Sequence, residues 1–359
     1  MKPKIYFFYP NIINDGIKRT FDVYLNYLKK KYDIILITNS DQKLIKKYKK
    51  IKILKPKLSI FNKFKTLNNI VCALKILFLK KEKLIVFSLD DHFVLLLLKL
   101  LGLKFKLILR TPNPIFNIYN KQEQKFYNNK GFTNNFEIYF YKFADLVITY
   151  SNQNKLSLIK KFKVENAQHI NNFFEKKFNI IKKIKKNYNV FFIGRLVESK
   201  DPIFFLNNMI KLENKLHFKV YILGDGFLKK RLKNISKNSK NIKFLNYLDK
   251  PFKKYHSSID LLCITSKFDG TPNVLGEAIA YSIPCVAPKN VGLSNILLKN
   301  GKGGYLYEQG NDKSFQNAVT NALRNYRKTI RKSHISFKEL DKFSKHNTLS
   351  KLETLISNI

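Results

Sequence analysis

Along the chain, short apolar runs alternate with longer stretches in which apolar residues recur every three or four positions. Runs at 5–9, 33–38, 84–89, 105–109 and 146–150 predict strands. After the first, Phe21, Leu25 and Leu28 share one face of a helix opening at Gly16, and the run at 33–38 completes a strand–helix–strand unit. A helix is also predicted over 136–143. A lysine-rich stretch, 171–187, interrupts the pattern. It then restarts with strands predicted at 190–193, 218–223, 242–245, 261–265 and 284–287, most of them followed by a helix. Near-continuous apolar strands separated by amphipathic helices mark parallel sheets covered on both faces. The fold class expected is α/β, with two Rossmann-like domains facing a central cleft. The expected boundaries are 1–172 for the first domain, 173–187 for a linker and 188–335 for the second domain. A terminal helical segment, 336–359, is expected to return to the first domain.

Composition narrows the class. A length of 359 residues suits two domains, and 45% hydrophobic residues fill two ordinary cores, which excludes a disordered polybasic protein. Cys72, Cys263 and Cys285 lie in apolar company without metal-ligand spacing, so buried spectator thiols in a reducing, cytoplasmic compartment are expected. The apolar run at 93–98 is too short to cross a bilayer, and the N-terminus reads as a first strand rather than a signal peptide. With 68 basic and 25 acidic residues the net charge is +43. Only seven of the basic residues are arginine, the residue that reads bases, so a specific nucleic-acid partner is not expected. Abundant Lys, Asn, Ile and Phe fit A/T-rich codon usage. An anionic membrane surface is the second reading, with Lys46-Lys47-Tyr48-Lys49-Lys50 as the attracting cluster.

In doubly wound sheets, ligands bind beyond the carboxyl ends of strands. After the strand at 261–265, Thr271 is a suitable N-cap and Pro272 a suitable first helical residue. The unpaired N–H groups near Asn273 and Val274 then form a candidate diphosphate cradle, with Gly270 allowing close approach. Asp269 and Glu277 place a carboxylate on either side. A capped helix with a surface acid is the alternative. After the strand at 190–193, Gly194, Arg195 and Lys200 offer backbone and two cations to the same region. The turn Leu223-Gly224-Asp225-Gly226 reads equally as a tight strand-to-helix turn or a ligand loop.

Together with Phe244-Leu245-Asn246-Tyr247-Leu248, Pro284-Cys285-Val286-Ala287 and Gly303-Gly304-Tyr305-Leu306, these residues resemble the GT-B-fold retaining glycosyltransferases of family 4, the glycosyl transferases group 1. The resemblance is strongest over 190–310. It implies that Arg195 and Lys200 hold the donor diphosphate, Glu277 binds the ribose, Asp269 contacts the donor sugar, and residues 270–274 cradle phosphate. Asp269 stands where the family usually has glutamate, which shortens its reach by one methylene. Asn14-Asp15-Gly16 resembles the family's glycine-rich loop, with Asp15 replacing a glycine and Gly16 retained. His92, Arg110 and Asn113 are weaker candidates for the acceptor side of the cleft. Arg110 stands where many relatives carry histidine.

The resemblance implies transfer of a sugar from a nucleoside diphosphate to a hydroxyl of a glycan or lipid-linked acceptor, with retention, in cell-envelope polysaccharide synthesis. The nucleotide sugar is the donor substrate, and no cofactor or metal is expected. The expected location is cytoplasmic, with peripheral attachment to the inner face of the cytoplasmic membrane as a second possibility. The competing readings are a nucleotide-sugar 2-epimerase of the same fold, and an RNA-binding protein driven by charge.

Overall fold

The computed structural model describes every residue except 1, 13–15, 42–44, 49–50, 57–64, 80–83, 90–91, 112–136, 150, 178, 180–181, 268 and 270–271. The chain divides into two compact units, Met1–Asn171 with Leu349–Ile359, and Asn172–Thr348.

The first unit runs β1 (Lys4–Phe8), α1 (Gly16–Leu28), β2 (Asp33–Ile37), β3 (Lys52–Leu54), α2 (Lys65–Leu77), β4 (Ile85–Ser88), α3 (Phe93–Leu100) and β5 (Lys106–Arg110). A 3-10 segment, Glu137–Phe143, precedes β6 (Leu146–Thr149), α4 (Asn152–Phe162) and β7 (Ala167–His169). The sheet order is β3-β2-β1-β4-β5-β6-β7, parallel throughout. Successive β1 side chains serve opposite cores. Tyr6 and Phe8 face α2, α3 and α4, whereas Ile5 and Phe7 face α1 and the Leu349–Ile359 segment. That double burial explains the unbroken apolar runs. Phe7 itself packs between Phe21 and Phe87, with ring centroids 5.2 and 5.1 Å away. Within the Lys46–Lys50 cluster, Tyr48 is buried with its hydroxyl donating to Asp22 at 2.6 Å, and the exposed Lys47 pairs with the same carboxylate at 2.5 Å; Lys49 and Lys50 lie outside the described residues.

The second unit runs β8 (Tyr188–Ile193), α5 (Pro202–Leu212), β9 (Phe218–Leu223), α6 (Lys229–Ile235), β10 (Ile242–Leu245), α7 (Pro251–Tyr255) and β11 (Leu261–Cys263). It continues α8 (Asn273–Ile279), β12 (Cys285–Pro288), α9 (Ser294–Leu297), β13 (Tyr305–Tyr307), α10 (Asp312–Arg324), α11 (Tyr326–Glu339) and the start of α12 (Lys345–Ser357). Its parallel order is β10-β9-β8-β11-β12-β13, which places β8 and β11 side by side.

Two expected boundaries change. Residues 173–187 are not a free linker but part of the second unit. There the Phe174 N–H bonds the Phe343 carbonyl at 2.8 Å, and the Lys177 N–H bonds that of Ala280 at 2.8 Å. Buried Lys182 donates to the carbonyls of His256 and Ser257 at 3.0 and 3.1 Å. Backbone and ammonium groups with partners on the domain hold the lysine-rich stretch down, despite its polar composition. The returning segment is also shorter than 336–359, because only Leu349–Ile359 belongs to the first unit. Cys72, Cys263 and Cys285 are buried free thiols, and burial pushes Cys72 up to about 12.

Candidate functional site

The candidate residues of the second unit gather on the loops that follow β8, β9 and β11. Because the strands are parallel and adjacent, all three loops emerge at one carboxyl edge. The loop after β8 is stitched to the loop after β9. Gly194 N–H bonds the Leu223 carbonyl at 3.0 Å, and Leu196 N–H bonds that of Asp225 at 2.8 Å. The contact is so close that a Cβ on Gly224 would lie 1.8 Å from the Gly194 carbonyl oxygen. Close packing on the loop after β8 thus accounts for both glycines of the Gly-x-Gly turn. Gly194 differs, since a Cβ there would meet nothing nearer than the Phe192 ring at 3.8 Å. Arg195, next in the loop, is exposed.

The same loop continues into a single 3-10 turn, Glu198–Lys200, and ends at Asp201 in a left-handed conformation. Asp201 then caps α5 by accepting from the Phe204 N–H at 3.3 Å, with Pro202 at the first helical position. Fixed this way, Lys200 forms an ion pair with Asp269, its Nζ on Oδ2. The side chains keep 23% and 16% of their exposure, so the pair stays within reach of solvent. Further bonds tie the loops after β8 and β11. Thr265 Oγ1 donates to the Lys200 and Asp201 carbonyls at 3.0 Å each, and Lys267 N–H donates to the Ser199 carbonyl at 2.9 Å. Lys267 Nζ lies 3.4 Å from Asp201 Oδ2. Burial raises the Asp201 carboxyl above its ordinary value, and the Lys267 charge opposes that rise.

Helix α8 begins one residue later than the sequence suggests. Pro272 is the N-cap, with φ −71° and ψ 85°, and Asn273 the first helical residue. The ψ angle keeps Pro272 outside the helical basin, although its carbonyl accepts from Leu275 and Gly276 at 2.9 and 3.2 Å. As the first residues of the helix, Asn273 and Val274 have N–H groups without an intrahelical acceptor. Glu277 sits on the second turn, half-buried, while Gly276 beside it faces the Phe174 ring, where a Cβ would come within 2.3 Å. Asn172 Nδ2 donates to Asn273 Oδ1 at 2.8 Å. Gly270 and Thr271, the rest of the expected cradle, lie outside the described residues.

In the first unit, Gly16 is the first residue of α1, and residues 14 and 15 lie outside the described residues. His92 and Arg110 are both 2% exposed, so neither presents a surface group. The His92 Nδ1 lies 2.7 Å from Ser88 Oγ, and the Arg110 guanidinium stacks 4.7 Å from the Tyr24 ring. Asn113 lies outside the described residues. No group of three or more His, Cys, Asp or Glu poised to hold a metal occurs among the described residues.

Sequence reasoning missed the supporting shell of Thr265, Lys267 and Asp201. Only the Asp201-Pro202 pair carried a signal for it, that of a capped helix start. The Asn172 contact with Asn273 had none, because it joins residues about a hundred positions apart.

The fold is thus a pair of parallel-sheet, Rossmann-like α/β units, with candidate anion-binding groups at one sheet edge of the second, a GT-B-class architecture. The family described as Glycosyl transferases group 1 matches residues 173–337, nearly all of the second unit. The chain is 28% identical over 168 residues to an uncharacterised glycosyltransferase of Methanocaldococcus jannaschii, covering 42% of this chain and 41% of that protein. It is 26% identical over 167 residues to a Campylobacter jejuni alpha-1,4-N-acetyl-D-galactosaminyltransferase whose name specifies a diphospho-undecaprenol-linked glycan acceptor, covering 42% and 46%. The chain spans less than half the length of these curated relatives. Among solved structures, the lipopolysaccharide outer core galactosyltransferase WaaB superposes with a TM-score of 0.77 at 16% identity, over 99% of each chain. Anabaena HepE with UDP and glucose gives 0.78 at 15% identity, over 99% of this chain and 100% of that one.

Proposed function

We propose that the protein is a retaining glycosyltransferase that moves a sugar from a nucleoside diphosphate to a hydroxyl of a glycan or lipid-linked acceptor in cell-envelope polysaccharide synthesis. The observation that carries the reading is the Lys200–Asp269 pair at the sheet edge, within the segment matched by the glycosyltransferase family. Breaking a glycosyl–phosphate bond sheds negative charge onto the leaving diphosphate, so preorganised cations and amide dipoles are the main contribution a protein can make. Lys200 and Arg195 provide the cations, and the first N–H groups of α8 the dipoles. Charge neutralisation is thereby assigned to protein groups rather than to a metal. Before the donor arrives, the Asp269 carboxylate holds Lys200 in place. With donor bound, the diphosphate takes over Lys200 and Asp269 turns to the sugar hydroxyls, while Glu277 accepts from the ribose. A leaving-phosphate oxygen accepts the proton of the attacking hydroxyl on the face from which the phosphate departs, which preserves the anomeric configuration.

Two named relatives act on diphosphoundecaprenol-linked glycans, the Campylobacter jejuni enzyme and an Escherichia coli alpha-1,3-galactosyltransferase, which supports a lipid-linked acceptor here. On this reading the reaction takes place at the cytoplasmic face of a membrane. The decisive experiment is a panel of nucleotide sugars scored by thermal stabilisation, and by turnover with and without an undecaprenyl-diphosphate glycan acceptor. Acceptor-dependent release of nucleoside diphosphate supports transfer. Donor conversion without acceptor would point to a 2-epimerase, and stabilisation by no nucleotide sugar would remove the reading.

A further inference from the structure

The first unit is asymmetric in a way that its sequence-level charge does not reveal. Of the fourteen large apolar side chains exposed among the described residues, nine lie on one helical layer, made of α2, α3, the Glu137–Phe143 segment and α4, or on the residue directly following a helix. Within that layer α2 packs on α3, α3 on Glu137–Phe143, and Glu137–Phe143 on α4. The opposite layer, α1 and the Leu349–Ile359 segment, contributes none of them. On α2, Asn69, Cys72, Ala73 and Ile76 face the protein, while Leu67, Ile70, Leu74 and then Phe78 face outward. Their spacing of three, four and four residues draws one straight apolar stripe about 16 Å long. Phe78 is 85% exposed, and Leu101, which follows α3, is 76% exposed. Phe78 and Leu101 follow the helices that precede the parallel neighbours β4 and β5, which puts both at the amino end of the sheet.

A solvent-facing stripe without charge is costly in water and unexpected in a chain that carries 68 basic residues. Lysines flank it along the chain. From Lys65 to Lys106 the sequence holds eight lysines and three acidic residues; among the described residues Lys104 and Lys142 are exposed beside this layer, while Lys106 at the start of β5 lies 3.4 Å from Asp145. A second copy of the chain, itself at +43, is repelled by this charge, whereas an anionic lipid surface is attracted to it and accepts the apolar stripe between its headgroups.

We propose that this layer of the first unit, centred on α2 and Phe78, is the face with which the protein lies on an anionic lipid bilayer. The inference stands apart from the sugar chemistry proposed above. It also moves the membrane contact away from the Lys46–Tyr48 turn, which presents no exposed large apolar side chain.

The chain contains no tryptophan, so a Phe78→Trp variant carries a single reporter. A Phe227→Trp variant places the same reporter at a 72% exposed position in the second unit. Both full-length proteins are titrated with vesicles of phosphatidylcholine alone, and with vesicles containing about 30% phosphatidylglycerol. The expected result is a blue-shifted, enhanced emission for Phe78→Trp with the anionic vesicles only, and no shift for Phe227→Trp. In co-sedimentation, Leu74→Ser combined with Phe78→Ser should weaken partitioning roughly tenfold or more, with the thermal midpoint held. An unshifted Phe78→Trp emission, or an equal shift at position 227, would overturn the proposal. Partitioning unaffected by the serine pair would overturn it as generic polycation binding. A sedimentation velocity shift from dimer to monomer in the serine variant would overturn it in favour of a second copy. Should the serine pair fail to fold, the two tryptophan emissions decide the matter alone.

Discussion

Lys200 and Asp269 lie 69 residues apart in the chain, and their pairing depends on the parallel neighbours β8 and β11. The residue types were legible from sequence, since a cation after one strand and an acid after the other both fall where such a sheet binds ligands. That they bind each other was not legible, because it takes the register of two strands to decide. Lys200→Ala and Glu277→Ala are each expected to lower turnover about 100-fold or more, equivalent to roughly 2.7–4 kcal/mol of lost transition-state stabilisation, measured as steady-state kcat with the best donor. Asp269→Glu is expected to change the ratio of kcat/KM between two donors that share a nucleotide but differ in sugar, while their common nucleoside diphosphate binds as before. Glycines make a sharper contrast. Gly224→Ala forces a methyl onto the Gly194 carbonyl and should cost about 1–3 kcal/mol or more in denaturant unfolding. Gly194→Ala meets only ordinary contact and should leave unfolding nearly unchanged. A drop in donor affinity for Gly194→Ala alone then marks backbone that serves the ligand rather than the packing.

At the scale of elements, all ten strands expected from apolar runs form, with ends that move by at most two residues. The three that escaped, β3, β7 and β13, are three residues each, too short for a period, and exist because a neighbouring strand pairs with them. The helix expected over 136–143 forms as a 3-10 segment, and α8 starts late because Pro272 holds a non-helical ψ. The terminal helix was expected, but how much of it returns was not legible; Leu349, Leu352 and Ile356 bury it against the first unit, and Glu353 adds a polar contact. Its carboxylate accepts from Tyr27 at 3.0 Å and pairs with Lys31, and the Lys31 bond chiefly holds its pKa below the usual carboxylate range. A carboxylate depressed in the folded state contributes stability above its unfolded pKa, and that contribution is lost as pH falls through the lower folded value. Wild type should therefore melt above Glu353→Gln at pH 6 by a small margin, since Lys31 is exposed. The margin should shrink steadily below about pH 4.5, near the ordinary glutamate value. A pH series of thermal midpoints for both proteins checks this.

At the scale of the whole molecule, the units carry separate cores. Two clusters flank the seven-stranded sheet and two flank the six-stranded sheet, each cluster drawn from one unit only. The proposed donor groups belong to the second unit, and a ligand that binds only the folded state stabilises what it touches by mass action. The probe is the nucleoside diphosphate of whichever donor the nucleotide-sugar panel selects. In hydrogen exchange at a saturating concentration of that nucleotide, protection should rise in peptides spanning 194–200 and 269–279, which carry the loop after β8 and the start of α8. The β1 to β7 sheet should exchange as before, since its hydrogen bonds form without the ligand. Lys200→Ala should erase the gain in both peptides together if, as the proposed function requires, one diphosphate bridges the two loops. Protection confined to either peptide would mean that the loops do not share a ligand, even though Lys200 and Asp269 join them in the free protein.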